Sequence, residues 1–327
     1  MKKILAFIVL SIAMVSCYED YILDYDYTSV YFSYQKDVRT FVVGEGMKIK
    51  VGVELGGVRE NTSDRYVSFV LDNSLITPTL LASMKASSDA YIKSAATPVA
   101  ALEPLPADFY QISNPGTMVI KAGMHSGYVE IEPDSAAFLN DSLKTMYATY
   151  IIPFYLTGSD TDSIIESKRS EMVGVRFENM LFGNYYHGGA TVINRPALPD
   201  TTIYYNMTIP ATSEAKVWKL ATAGPSTLTT NAYGNANASG TQQLKIILKG
   251  TSIYVSSASG STYTFTSDGV SSFNSPKLLQ DRMLILKYKY TVPVANWTYH
   301  CIDTLKFRNR IRDGINEWYD ENPSHYN

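Results

Sequence analysis

Alternation of apolar and polar residues over short runs is the feature that most constrains what this chain can fold into. Val30 and Phe32 alternate with polar or amphipathic neighbours, and the same spacing recurs from Met47 to Val53 and from Val67 to Leu71. A period of two residues places one face of a β-strand against a core. Turn-forming stretches such as residues 60–64 separate the runs. The pattern predicts an all-β chain.

Aromatic composition agrees with this prediction. The chain has 25 Tyr against 12 Phe and 3 Trp. Tyrosine combines an apolar ring with a polar hydroxyl, which suits half-exposed β-surfaces. We therefore expect many short strands with tyrosines on partly solvated faces.

The run of strand patterns divides into two parts. Residues 29–181 contain short antiparallel-type strands with frequent turns, typical of an immunoglobulin-like β-sandwich. Residues 182–327 resume the pattern after Phe182 and predict a lipocalin-like antiparallel β-barrel. A short C-terminal helix is expected at the end of this barrel, because four apolar residues fall at helical spacing: Phe307, Ile311, Ile315 and Trp318.

The first 17 residues have the features of a secretory signal. Lys2 and Lys3 precede an uncharged apolar run from Ile4 to Val15. The run is shorter than the roughly 20 residues that a membrane-spanning helix needs. Residues 14–17 (MVSC) resemble the bacterial lipobox, although Met14 stands where Leu is usual. The resemblance implies a lipoprotein signal peptide over residues 1–17 and a lipid anchor on Cys17; the alternative is an ordinary signal peptide with an incidental cysteine.

Lipidation of Cys17 leaves Cys301 as an unpaired thiol, which we expect to be buried and inert. Residues 18–28 form an acidic, tyrosine-rich tether. Glu19 and Asp20 resemble the acidic surface-export signal of Bacteroidetes lipoproteins. The predicted location is therefore the outer membrane, at the cell surface, with a periplasm-facing lipoprotein as the alternative.

Charge and motif content exclude several function classes. The formal charge is −3, and loss of Lys2 and Lys3 with the signal makes it −5. The sequence contains no cluster of Lys and Arg that would form a basic face, so nucleic-acid binding is not predicted. The four histidines lack zinc-site spacing, and no motif for a metal, a cofactor, a catalytic nucleophile or a phosphate loop is present. No acid stands in a recognisable glycosidase motif, so we predict a protein that is not an enzyme and has no cofactor.

Two groups of residues resemble a known architecture. Residues 105–112 (LPADFYQI), 120–123, 129–131 and 150–153 resemble the N-terminal domain of unknown function common in lipoproteins of Bacteroidetes glycan loci. Residues 303–318 resemble the end of a second uncharacterised domain that often follows it. Ile152 precedes Pro153 where Leu is usual. The resemblance implies a Sus-type surface glycan-binding lipoprotein of a polysaccharide utilisation locus.

Candidate binding residues follow from the need of sugar rings for aromatic faces with polar neighbours. Trp297 and Tyr299 lie at a loop-to-strand junction, where ligand contacts concentrate. Tyr233 lies in a loop of small residues, and Tyr186 lies near the start of the barrel. Trp218 is a fifth candidate, although its alternation with Leu220 also fits a core position.

These features predict a non-catalytic lipoprotein that binds an oligo- or polysaccharide within a glycan-uptake system. The expected partners are the glycan, a TonB-dependent importer and that importer's partner lipoprotein. A protein-binding adhesion or assembly component is the first alternative, and a glycoside hydrolase is the second.

Overall fold

The computed structural model describes residues 27–205, 216–235, 242–275, 278–292 and 295–321. The predicted signal peptide, Cys17 and most of the tether lie outside these residues. Within the described ranges the chain is mostly β-structure, which confirms the all-β prediction. None of the helices in these ranges is long and apolar enough to cross a membrane.

The first part of the chain is a two-sheet sandwich, as predicted. One sheet has the order β10-β1-β3-β8-β6, and the other has the order β2-β11-β9-β4-β7 with β5 beside β9. The strands are β1 (Ser29–Tyr31), β2 (Lys36–Val43), β3 (Ile49–Gly56), β4 (Arg65–Leu71), β5 (Glu103–Pro104), β6 (Tyr110–Ile112), β7 (Thr117–Ile120), β8 (Ser126–Pro133), β9 (Tyr150–Ser159), β10 (Ser163–Ile164) and β11 (Ser170–Asn179).

Both sheets of the sandwich contribute large apolar side chains to one core. Phe32, Phe69 and Phe154 pack against one another, with ring centroids 6.2 Å apart for Phe32–Phe154 and 5.2 Å apart for Phe69–Phe154. Alternate residues of β3 point into this core and the intervening ones point to solvent. The period-two pattern therefore reports the buried face correctly.

Short helices flank the sandwich; two of them pack on the outer face of the second sheet, and a third contributes Phe138 to the sandwich core. They are α1 (Pro78–Lys85), α2 (Ala90–Ala96), α3 (Ser135–Asn140) and α4 (Ser142–Thr145), with 3₁₀ turns at Asn73–Leu75, Ala107–Phe109, Glu166–Lys168 and Leu279–Asp281. Thr77 caps α1 by accepting a hydrogen bond from the Leu80 amide at 3.2 Å, and Pro78 occupies the first turn. Met84 packs on Val38 and Ile151 of the sheet.

The second part of the chain closes into a β-barrel, as predicted. Its strands follow one another in antiparallel order around the barrel, and β12 pairs with β21 to close it. They are β12 (Gly183–Arg195), β13 (Leu198–Tyr205), β14 (Lys216–Gly224), β15 (Thr227–Thr230), β16 (Leu244–Lys249), β17 (Ser252–Ser257), β18 (Phe265–Ser267), β19 (Ser271–Phe273), β20 (Met283–Val292), β21 (Trp297–Arg312) and β22 (Ile315–Glu317).

The predicted C-terminal helix is wrong. β21 continues through Phe307 to Arg312 and turns back into β22 at Asp313-Gly314, where φ is +50° and +81°. This dipeptide is a strong two-residue hairpin signal, because both positions accept the left-handed conformation. Phe307 is buried, whereas Trp318 is 63% exposed. The helical spacing therefore did not reflect a shared buried face.

Sandwich and barrel meet at one end of the barrel. Glu45, in the turn after β2, reaches the barrel and binds Arg282 and Arg310. Val42 is part of the barrel core. From this junction β12 runs the length of the barrel, about 40 Å for an extended strand of this size. Its last residue, Arg195, lies at the opposite end, which is called the open end below.

Candidate functional site

The open end of the barrel carries a cluster of tyrosines. Cross-strand pairing sets Tyr290 of β20 directly opposite Tyr299 of β21. Their rings stack with centroids 4.8 Å apart, and Tyr263 stacks on the other side of Tyr290 at 5.6 Å. Tyr233 meets Tyr290 edge-on at 5.3 Å. These four residues are called the tyrosine cluster.

The hydroxyl groups are the polar side-chain atoms of the tyrosine cluster. None of the four has a hydrogen-bond partner among the described residues, although Tyr290 is only 7% exposed. Burial raises the pKa values of Tyr233, Tyr290 and Tyr299 above that of a free phenol. These phenols are therefore protonated at neutral pH and can donate hydrogen bonds. Such donors suit the oxygen atoms of a polar ligand.

Trp297 lies two residues before Tyr299 on β21, faces the barrel interior as Tyr299 does, and is nearer to the rim. Arg195, at the end of β12, lies beside it. Trp297 is half-buried, and the Arg195 guanidinium carbon is 5.8 Å from the centre of its ring. Arg195 Nη2 donates to the Pro199 carbonyl at 2.7 Å and to the Thr201 hydroxyl. The open end thus combines one cation with aromatic rings, an arrangement with cation–π attraction.

The loop of residues 231–235, which follows β15, lies beneath this cluster. The Gly234 amide donates to the Tyr288 hydroxyl at 2.6 Å. Gly234 has φ +47°, and a Cβ here would lie 3.2 Å from the Cys301 Sγ and 3.4 Å from the Thr191 hydroxyl. Only glycine allows such a close approach in this backbone conformation without strain. The loop places Tyr233 over the barrel interior and separates it from the residues below.

Below the loop is a buried hydrogen-bond network centred on Asp303. Its carboxyl group accepts hydrogen bonds from the Tyr205 hydroxyl at 2.7 Å and the Tyr288 hydroxyl at 2.6 Å. His187 Nε2 is 2.8 Å from the same carboxyl group. Burial raises the pKa values of Tyr205 and Tyr288, so both stay protonated donors. The network satisfies a carboxyl group with no solvent exposure and holds β12, β13, β20 and β21 in register.

Trp218 and Cys301 belong to the barrel interior. Trp218 is 1% exposed and stacks on His187 with ring centroids 4.3 Å apart. It therefore presents no ring face to solvent, which corrects its place among the surface binding candidates: alternation on β14 turns it inward with Leu220. Cys301 is 2% exposed, and burial raises the pKa of its thiol to about 12.

Tyr186 points outward from β12, away from the tyrosine cluster. Its neighbours are Lys306 of β21 and Arg308, whose guanidinium carbon is 5.7 Å from the ring centre. The structure therefore brings together Tyr233, Tyr299 and Trp297 of the five predicted residues. Their neighbours Tyr263, Tyr290 and Arg195 were not identified from the sequence. Alternation marks Tyr290 as inward-facing with Tyr288, but cross-strand register is what makes it a neighbour of Tyr299.

Two of the concavities in the described structure border the barrel. A groove of about 560 Å³ is lined by Tyr290 and by polar residues: Asn194, Thr262, Thr264, Thr266, Lys289, Thr291, Thr298 and His300. A cleft of about 500 Å³ lies between sandwich and barrel, and Arg176 and Glu178 in its wall form an ion pair at 3.0 Å. The groove adjoins the tyrosine cluster at Tyr290. No group of three or more metal-binding side chains occurs in the described ranges.

Comparison with known proteins supports the fold. A family model for an N-terminal domain matches residues 25–163. A structure of unknown function from Bacteroides ovatus aligns with a TM-score of 0.64 at 18% identity, covering 90% of this chain and 98% of its own. A Bacteroides ovatus multidomain protein including DUF1735 aligns at 12% identity with a TM-score of 0.42, covering 90% and 100%. No curated protein matches in sequence. The chain therefore shares the fold of the first of these Bacteroides proteins.

Proposed function

We propose that this chain is a non-catalytic outer-membrane lipoprotein, anchored through Cys17 at the cell surface, that binds an oligo- or polysaccharide at the open end of the barrel. The tyrosine cluster carries the proposal, because it gathers four hydroxyl groups without partners among the described residues. Sugars present hydroxyl oxygens to such groups and C–H faces to aromatic rings. In this proposal the protein supplies glycan to a TonB-dependent importer and its partner lipoprotein.

Ring packing decides how the cluster would contact a sugar. Stacking covers both faces of the Tyr290 ring with Tyr263 and Tyr299. The hydroxyl edge of Tyr290 is therefore the part of this ring left to bind. Trp297, half-buried and nearer to the rim, supplies an apolar surface beside it. A sugar would accept or donate hydrogen bonds at the tyrosine hydroxyl groups and would contact the Trp297 ring at the rim of the barrel.

Carboxylate placement favours binding over hydrolysis. Glycoside hydrolysis uses two carboxyl groups about 5–10 Å apart on either side of the substrate. Asp303 points into the barrel and is enclosed in its hydrogen-bond network. Asp268 pairs on the outer wall with His300, whose Nδ1 lies 2.6 Å from it. Barrel wall separates these two acids, so they do not form a facing pair.

The test is a binding screen of the protein lacking residues 1–17 against immobilised polysaccharides, with reducing-sugar release measured in the same wells. Retention without release is the expected result. Replacing Tyr290 and Tyr299 together by Phe removes two hydroxyls and keeps both rings. Loss of two hydrogen bonds is expected to weaken binding roughly tenfold.

Tyr254→Phe is the matched control, because Tyr254 is 49% exposed on the outer wall of β17. Its affinity should equal that of the unmodified protein. Release of reducing sugar would contradict the non-catalytic proposal. Equal affinity of the double variant and the control would contradict the proposed site.

Protein binding remains the second candidate because of one observation. The C-terminal hairpin exposes Ile311, Ile315 and Trp318 by 59%, 62% and 63%. Exposed apolar groups of this kind mark protein-interaction surfaces when they are contiguous. An absence of retention on every polysaccharide, together with co-purification of a membrane protein that Trp318→Ser abolishes, would favour this function.

A further inference from the structure

The open end has an unbalanced charge at Arg195. Its described hydrogen-bond partners are a carbonyl and a hydroxyl oxygen, Pro199 O and Thr201 Oγ1, both neutral. Its Nε is buried and has no partner in the described ranges. By contrast, Arg310 binds two carboxylates, those of Glu45 and Glu317. A guanidinium normally meets a carboxylate or phosphate through its fork of donors.

The groups around Arg195 are donors as well. Tyr299 lies close enough to Arg195 for the cation to counteract part of the pKa increase that burial causes. Tyr290 and Tyr299 are neutral phenols with unpaired hydroxyls.

Three acids lie nearby. Asp268 is paired on the outer face, and Asp303 is paired inside the barrel. Asp200 is exposed on β13 and has no bond to Arg195 among the described residues. The described inward face of the open end is therefore rich in donors and carries one positive charge.

We propose that the open end selects an acidic saccharide, a sugar chain whose carboxylate binds Arg195 while its hydroxyls bind the tyrosine cluster. This inference rests on the proposed glycan-binding function and names the ligand class. Arg195 Nη2 already donates both of its hydrogens to Pro199 and Thr201, whereas Nη1 has no partner among the described residues, so a uronate carboxylate can accept a charge-assisted hydrogen bond from Nη1. Trp297 holds the guanidinium from one side, which orients it before the ligand arrives.

The experiment compares matched chains that differ only in charge: polygalacturonate with its fully methyl-esterified form, and glucuronoxylan with unsubstituted xylan. A sulfated polysaccharide is measured in parallel to separate carboxylate recognition from recognition of any anion. Affinities of the protein lacking residues 1–17 are measured at low and high NaCl. The acidic member of at least one pair should bind at least about tenfold more tightly, since hydrogen bonds to charged groups are the stronger ones. Added salt should reduce that advantage.

Arg195→Gln should reduce the acidic-to-neutral affinity ratio to about one, and Arg195→Lys should restore part of it. Arg308→Gln is the matched control, because Arg308 of β21 also lies over an aromatic ring, that of Tyr186, but on the outer wall of the barrel. It should leave the ratio unchanged. Circular dichroism and thermal unfolding check that Arg195→Gln keeps its fold, since Arg195 also ties the β12–β13 hairpin.

Each outcome separates this inference from the proposal on which it rests. Equal binding of acidic and neutral chains would overturn the acidic ligand and leave glycan binding intact. Preference for acidic chains that persists in a folded Arg195→Gln would overturn the role of Arg195. Stronger binding of the sulfated chain than of both uronates would overturn carboxylate recognition. Binding of none of the chains would overturn the glycan-binding proposal and this inference together.

Discussion

Replacing Glu45 by Gln should destabilise the whole described structure, because Glu45 joins the sandwich to the barrel. Its carboxylate is 1% exposed and accepts hydrogen bonds from Arg282 at 2.6 Å and from Arg310 at 2.8 Å through both of its oxygens. Burial acts to raise the pKa of Glu45, but the hydrogen bonds and charges of Arg310 and Arg282 outweigh it and lower the pKa below its ordinary value of 4.5. The carboxylate is therefore held in its charged form.

Removal of one partner from a buried ion pair costs about 3–5 kcal/mol, because an unbalanced charge stays buried. Glu45→Gln leaves two guanidinium groups facing a neutral amide. Arg310 keeps Glu317 and Arg282 keeps the Met180 carbonyl. We therefore expect a loss near the low end, about 3 kcal/mol in the free energy of unfolding.

The assay is urea unfolding followed by circular dichroism and by tryptophan fluorescence, which reports the barrel through buried Trp218. Glu132→Gln is the control, because its ion pair with Lys48 is exposed and such pairs contribute about 0–1 kcal/mol. Since the native pKa of Glu45 is lowered, its stabilisation is complete above pH 4.5 and is lost as the pH falls through the native pKa. A loss below about 1 kcal/mol at neutral pH would refute the reasoning, because a buried unpaired charge cannot be that inexpensive.

Three other perturbations have definite expected outcomes. Gly189→Ala should lower the thermal unfolding temperature much more than Gly250→Ala, since a Cβ at Gly189 would lie 2.1 Å from the Ile302 carbonyl whereas Gly250 has open space; equal shifts would contradict the close approach of β12 and β21. Burial raises the pKa of Glu171 to about 8, so the native state holds a proton there that the unfolded state releases above the ordinary value of 4.5. Stability should therefore fall as the pH rises from 4.5 toward 8, and Glu171→Gln should flatten this slope in pH-dependent urea unfolding; a slope identical in both proteins would disprove it. Cys301, with its thiol pKa raised to about 12 by burial, should react with a thiol reagent only after denaturation, and rapid labelling of the native protein would show that it is accessible.

Local pattern determined the strands of this protein and which of their faces are buried. Val30, Val51 and Phe69 occupy the inward positions that alternation predicts, because a residue's side in a strand depends only on its position along that strand. Turn chemistry was also local, and Asp313-Gly314 would have predicted the final hairpin had it been weighed above the helical spacing. The structure follows the hairpin signal and not the helical spacing, because β21 extends along β12 and Trp318 stays outside the core.

Register between distant strands is what only the tertiary structure decided. Trp297 and Tyr299 were identifiable as aromatics near a loop, but their pairing with Arg195 and Tyr290 depends on how β21 aligns with β12 and β20. A shift by one residue would exchange the inward and outward faces of a strand. Burial of Trp218 beneath the closed barrel was decided in the same way. The sequence by itself determined the faces of the strands, and closure of the barrel over strands more than a hundred residues apart determined the site, because those alignments depend on the summed packing of the whole barrel.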